Sequence, residues 1–145
     1  MKKIVMAAVA AFAVLFAAQA GLAQQAGSLP TLTSKAYASM KKDDVYVVLF
    51  SASYCGACRL AKQGLFPELI QKYKTYENVH FYMFDVEQDQ PAADGTSLDK
   101  RWGVLYLPTF VVVYNDAVMY SRTGYSDGLK PKIKQEIENK IKALK

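Results

Sequence analysis

The sequence predicts an α/β fold in which a mixed β-sheet is flanked by helices on both faces. Val45 to Phe50 form an unbroken β-branched, aliphatic and aromatic run, the pattern of a strand buried on both faces. Strand-like and helix-like segments then alternate, which implies crossover connections and parallel pairing. Late in the chain two strand-like runs flank Asn115-Asp116, a hairpin that adds an antiparallel edge.

The first residues belong to targeting rather than to the fold. Lys2 and Lys3 precede an apolar run from Ile4 to Ala18, as in a cleavable secretory signal. Small residues allow cleavage after Ala20 or after Ala23. The apolar run is shorter than the roughly 20 residues that span a bilayer, so a retained anchor is the lesser alternative. Residues 1–23 are therefore expected to be a signal peptide, and an extracytoplasmic, periplasmic location follows. Residues 24–33 are small and polar around Pro30 and read as a flexible mature N-terminus. What remains, 34–145, suits one domain with one core.

Within that domain, Ser34 is placed to cap a short helix reaching about Lys42. The strand Val45 to Phe50 leads through Ser51-Ala52-Ser53-Tyr54 to Cys55, after which helix formers dominate. Gly64 and Pro67 interrupt them, so a second helical piece is expected from Pro67 to about Tyr76. Val79 to Phe84 reads as a strand and 85–95 as an acidic loop. Thr96 or Ser97 starts a short helix that ends near Trp102-Gly103. Thr109 to Tyr114 and Ala117 to Ser121 form the hairpin. Ser126 is placed to cap a last helix whose buried stripe is Leu129, Ile133, Ile137, Ile141 and Leu144.

The net charge of +5 over 145 residues is mild. The C-terminal lysines alternate with Glu136 and Glu138, as on a solvated helix face. Nucleic-acid binding needs a concentrated basic patch with stacking aromatics, and that class is set aside.

Only two cysteines occur, Cys55 and Cys58. A bridge between them closes a tiny loop and removes little unfolded-chain entropy, so the pair reads as chemical rather than architectural. It lies between a buried strand and a helix start. There, unpaired N–H groups and the helix dipole favour an anion, which makes Cys55 the attacking thiolate. Cys58, one turn on, is the resolving thiol. Gly56 gives the turn freedom and leaves room for a partner's backbone. The competing readings are a metal half-site and a chance spacing. A structural zinc site needs four ligands, and the chain offers only His80 besides the cysteines, so no metal and no bound cofactor are expected. Tyr54 directly precedes the nucleophile and is expected to touch a partner. His80 reads as a surface or satisfied histidine, and Trp102 as core filling.

The run Phe50-Ser51-Ala52-Ser53-Tyr54-Cys55-Gly56-Ala57-Cys58, with Trp102-Gly103-Val104-Leu105-Tyr106-Leu107-Pro108-Thr109 downstream, resembles the thioredoxin superfamily over Ser34 to Leu144. The resemblance implies a thioredoxin fold, a cis bond before Pro108, and backbone groups of Leu107 offered to an extended substrate. It also implies protein substrates carrying disulfides or thiols, a monomer, and recharging by a membrane electron donor. Ala57 and Tyr54 depart from the cytosolic thioredoxins, and Leu49 stands where they carry a buried acid. The acceptor for the Cys58 proton is thus left to water or to Asp85 or Glu87. Ala57, Leu107 and the Phe66-Pro67 interruption resemble two exported groups, the C-terminal domain of membrane disulfide-interchange reductases and the cytochrome-c-maturation thioredoxins. The resulting expectation is a reductase. The alternatives are an oxidase or isomerase of the same fold and a redox-inactive peptide-binding module.

Overall fold

The computed structural model describes residues 29–145. The expected signal peptide and residues 24–28 lie outside the described residues. In order, the elements are α1 (Ser34–Ala38), β1 (Val45–Ser51), α2 (Gly56–Gly64), α3 (Phe66–Tyr73), β2 (Val79–Asp85), α4 (Leu98–Arg101), β3 (Thr109–Tyr114), β4 (Ala117–Thr123) and α5 (Lys130–Ala143). The sheet order is β2-β1-β3-β4.

Strand β1 pairs in parallel with β2, from Val45 opposite Val79 to Ser51 opposite Asp85. On its other side it pairs antiparallel with β3, Phe50 opposite Thr109. Parallel pairing therefore holds for β1 and β2 but not for β3, which the helix-linked pattern would also have made parallel. The helix of that connection, the four-residue α4, rises about 6 Å and does not run the length of the sheet, about 23 Å for seven residues, so it is not a crossover helix. The chain leaves β2 and enters β3 at the same end of the sheet.

All seven residues of β1 are buried because their side chains alternate between two cores. Val45, Val47 and Leu49 meet Ala61 of α2, Leu65 at the α2–α3 junction, Phe66 and Leu69 of α3, and Ile133, Ile137 and Ile141 of α5. Tyr46, Val48 and Phe50 meet Tyr37, Leu98 and Trp102 on the opposite face. Each fully buried aliphatic or phenyl side chain contributes roughly 1.5–3 kcal/mol, so β1 is the strand around which both layers condense.

Several boundaries differ from the sequence reading. Thr33, not Ser34, caps α1, its hydroxyl accepting from the Ala36 amide at 3.1 Å. Ser34 is buried instead. Its hydroxyl donates to Asp89 at 2.7 Å and accepts from the Leu98 amide at 2.8 Å, tying α1 to the loop after β2 and to α4. Helix α3 stops at Tyr73, and β4 continues to Thr123. Ser126 does not cap α5. Its carbonyl accepts from the Leu129 and Lys130 amides in a turn, and the helix begins beside Pro131, which lacks an amide hydrogen and suits a first turn.

The expected flexible stretch 24–33 is corrected over residues 29–33. The Met83 amide donates to Pro30 at 2.8 Å and the Leu32 amide donates to Met83 at 2.7 Å, a parallel bridge that covers the outer edge of β2. An uncovered strand edge invites pairing with other chains, and here Leu32, only 2 % exposed, anchors the cover in the core. Leu32→Ala is expected to lower stability by about 2–5 kcal/mol, measured by urea unfolding. A change below about 0.5 kcal/mol, the size expected at a surface position, would show that the segment is not docked.

Candidate redox site

Strand β1 ends at Ser51, whose carbonyl accepts from the Val86 amide at 3.0 Å. The chain then turns sharply, the Cys55 amide donating to Ala52 at 3.2 Å. The turn carries Cys55 into the N-cap position of α2, where its Sγ accepts from the Cys58 amide at 3.2 Å. That amide is one of the N–H groups a helix start leaves without an internal partner. When the pair is reduced, the same donor and the helix dipole face a Cys55 thiolate.

Cys55 and Cys58 form a disulfide, with unequal environments. Cys55 is partly exposed and lines an open groove of about 490 Å³. Cys58 is wholly buried, its Sγ 3.9 Å from the Phe50 carbonyl oxygen. An attacking sulfur must be reachable and a resolving sulfur need only reach its neighbour. The unequal burial suits those two tasks.

Tyr54 and Leu107 share the groove with Cys55, and Tyr54 is 75 % exposed. The Leu107–Pro108 peptide bond is cis. Pro108 is buried, and its carbonyl accepts from the Gly124 amide at 2.8 Å, whereas among the described residues no hydrogen bond takes up the Leu107 amide or carbonyl. Gly56 and Ala57 form the first turn of α2 and do not line the groove. The sequence reading assigned no role to the rest of its wall: Val86, Asp99, Val104, Leu105 and Tyr106. A signal existed, since Leu105 and Tyr106 are bulky apolar residues in a short segment between a helix and a proline.

Both carboxylates considered for the Cys58 proton have other partners, and among the described residues no hydrogen bond joins either to Cys58. Asp85 accepts from the Glu87 amide at 2.9 Å, and Glu87 accepts from the Ser53 amide at 2.5 Å. Leu49 is fully buried in the core. Glu87 instead latches the loop that carries Tyr54 and Cys55. His80 lies toward the other end of β1, opposite Tyr46, bonded to Asp44 at 2.7 Å and stacked on Tyr46. Trp102 is core, edge-on to Tyr37 and Phe50. Among the described residues no cluster of three or more metal-ligating side chains occurs, and no helix is long and apolar enough to cross a membrane.

The thioredoxin family model matches residues 28–142, a span that includes both bridged cysteines and Pro108. The chain belongs to the thioredoxin family. Thioredoxin H4-2 of Oryza sativa subsp. japonica is 29 % identical over 104 residues, 72 % of this chain and 66 % of its own length. This chain thus spans just under two thirds of that relative. A thioredoxin of Geodia cydonium is 27 % identical over 95 residues, 64 % of this chain and 80 % of its own. The solved thioredoxin of Trypanosoma brucei brucei shares the fold with a TM-score of 0.60 at 20 % identity, covering 82 % of this chain and 96 % of that one. The Cys55–Cys58 disulfide lies within the matched residues.

The Glu87 latch has a testable pH dependence. Hydrogen bonding from the Ser53 side chain, and after it from the Ser53 amide, holds the Glu87 carboxyl below its ordinary range. A carboxyl depressed in the folded state stabilises it fully above the unfolded pKa and loses that contribution as pH falls through the folded pKa. The Ser53 amide proton shift, followed by NMR, is expected to titrate at a pH below the usual carboxylate range, and Glu87→Ala is expected to abolish that titration. Titration of the Ser53 amide at an ordinary or raised carboxylate pH would contradict the latch.

Proposed function

We propose that this oxidoreductase reduces disulfides of protein substrates in the periplasm, acting as a monomer that a membrane dithiol donor recharges. The observation that carries the chemistry is the contrast between the two sulfurs, one capping a helix over an open groove and the other buried behind it. The Lys2-Lys3 start, the apolar run and the small residues at Ala20 and Ala23 support export. Protein substrates are supported by the exposed Tyr54 and by the unclaimed Leu107 backbone, which can pair with an extended segment.

In the reduced enzyme the Cys55 thiolate attacks one sulfur of a substrate disulfide. The Cys55–substrate bond forms, and the other substrate sulfur departs as a thiolate and takes a proton. Cys58 then loses its proton to solvent and attacks the Cys55 sulfur. The Cys55–Cys58 disulfide forms and the second substrate thiolate leaves. Two electrons pass from enzyme to substrate, and the donor's dithiol returns them, becoming a disulfide itself. Leu107 and Tyr54 hold the segment while the sulfurs align.

Cys58→Ser is expected to accumulate substrates linked to Cys55 as mixed disulfides, seen on non-reducing gels of the exported fraction, whereas Cys55→Ser is expected to accumulate none. Trapping by Cys55→Ser alone would reverse the roles. A redox titration against glutathione is expected to give a potential near −270 mV, the thioredoxin range, and a value near −120 mV would mark an oxidant instead. Recovery of the chain with residues 1–23 intact in the cytoplasm would contradict export.

A further inference from the structure

The groove beside Cys55 has a chemistry of its own. Leu105 is 82 % exposed and Tyr106 71 %, with Tyr54 the most exposed large apolar side chains among the described residues, and both lie in its wall with Tyr54. They are fixed in place rather than loose. The Val104 amide donates to the Asp99 carbonyl at 2.8 Å, and the Thr109 hydroxyl donates to the Tyr106 carbonyl at 2.7 Å. Large apolar side chains held out to solvent around a reactive sulfur mark an interaction surface. Asp99 lines the same groove, and among the described residues no hydrogen bond or ion pair engages its carboxylate.

Resting on the thiol–disulfide reading above, we propose that Leu105, Tyr106 and Asp99 select among protein targets. The favoured target is an extended segment whose cysteine is flanked by a bulky apolar residue and, beyond it, by Lys or Arg. The cysteine is fixed over Cys55, because exchange requires the sulfurs to meet. The apolar neighbour covers Leu105 and Tyr106, removing their surface from water. The cation meets Asp99, the uncompensated charge of the groove. An acidic residue at that place would face a like charge and be disfavoured.

The test uses the reduced full chain and two peptides, each carrying one cysteine as a mixed disulfide with glutathione. One flanks the cysteine with Leu and Lys, the other with Ser and Glu. The wild type is expected to prefer the first by about tenfold or more in kcat/KM, the effect of covering one large apolar side chain. The double variant Leu105→Ser, Tyr106→Ser is expected to bring that ratio down to about threefold, the part that Asp99 carries. Asp99→Asn is expected to lower it by about threefold, a typical exposed charge pair. Leu60→Ser, an exposed apolar position on α2 outside the groove, is expected to leave the ratio unchanged. A wild-type ratio near one, or a ratio unmoved in the groove variants, would overturn the selection. A small aliphatic disulfide separates the two readings. If the wild type reduces it yet does not discriminate between the peptides, only the selection fails. If the wild type reduces neither it nor the peptides, the oxidoreductase reading fails as well.

Discussion

Strand β1 is buried from end to end, and that burial determines where sulfur chemistry can occur. Its alternating side chains serve two cores at once, so sliding it by one residue would exchange the faces and break both. With register fixed by β2 on one side and β3 on the other, Ser51 has one place at the end of the sheet. The turn to Cys55 follows from that place. Cores resemble organic crystals in density, and a loop hung from such a strand inherits its rigidity.

Three independent parts of the chain converge on that end. The loop from β1 brings Tyr54 and Cys55, the end of β2 brings Val86 with Glu87 behind Ser53, and the segment after α4 brings Leu105 to Leu107. The last contribution is possible because the connection through α4 returns the chain to that same end before β3 begins. The antiparallel entry of β3 is therefore a functional feature as well as a topological one, since it sets Leu107 beside Cys55.

Much of this was legible in the sequence. Val45 to Phe50 announced a strand buried on both faces, and the cysteines at its exit could be placed on a helix start. The direction of β3 was not legible, because periodicity reports which residues are buried and not where a connection ends. Nor was the docking of Leu32. Pro30 and its polar neighbours look like a tail, and only pairing with Met83, about fifty positions away, gives Leu32 a pocket. Ser34 was read as a local cap because serine serves that purpose well, but Asp89 and Leu98 compete for it through long-range bonds. In the site, Cys55, Tyr54 and Leu107 were placed by motif. Asp99 and Val86 belong to the groove only by virtue of the fold.

The central claim is that the end of β1 and the start of α2 make Cys55 the reactive thiolate and leave Cys58 shielded. Alkylation of the reduced protein with iodoacetamide across a pH series, with the label mapped by mass spectrometry, tests it most directly. The account predicts that Cys55 is modified first, with an apparent pKa below the roughly 8.5 of a free thiol, while Cys58 stays protected until the chain is unfolded. Earlier labelling of Cys58, or a Cys55 that reacts only as an ordinary thiol does, would contradict it.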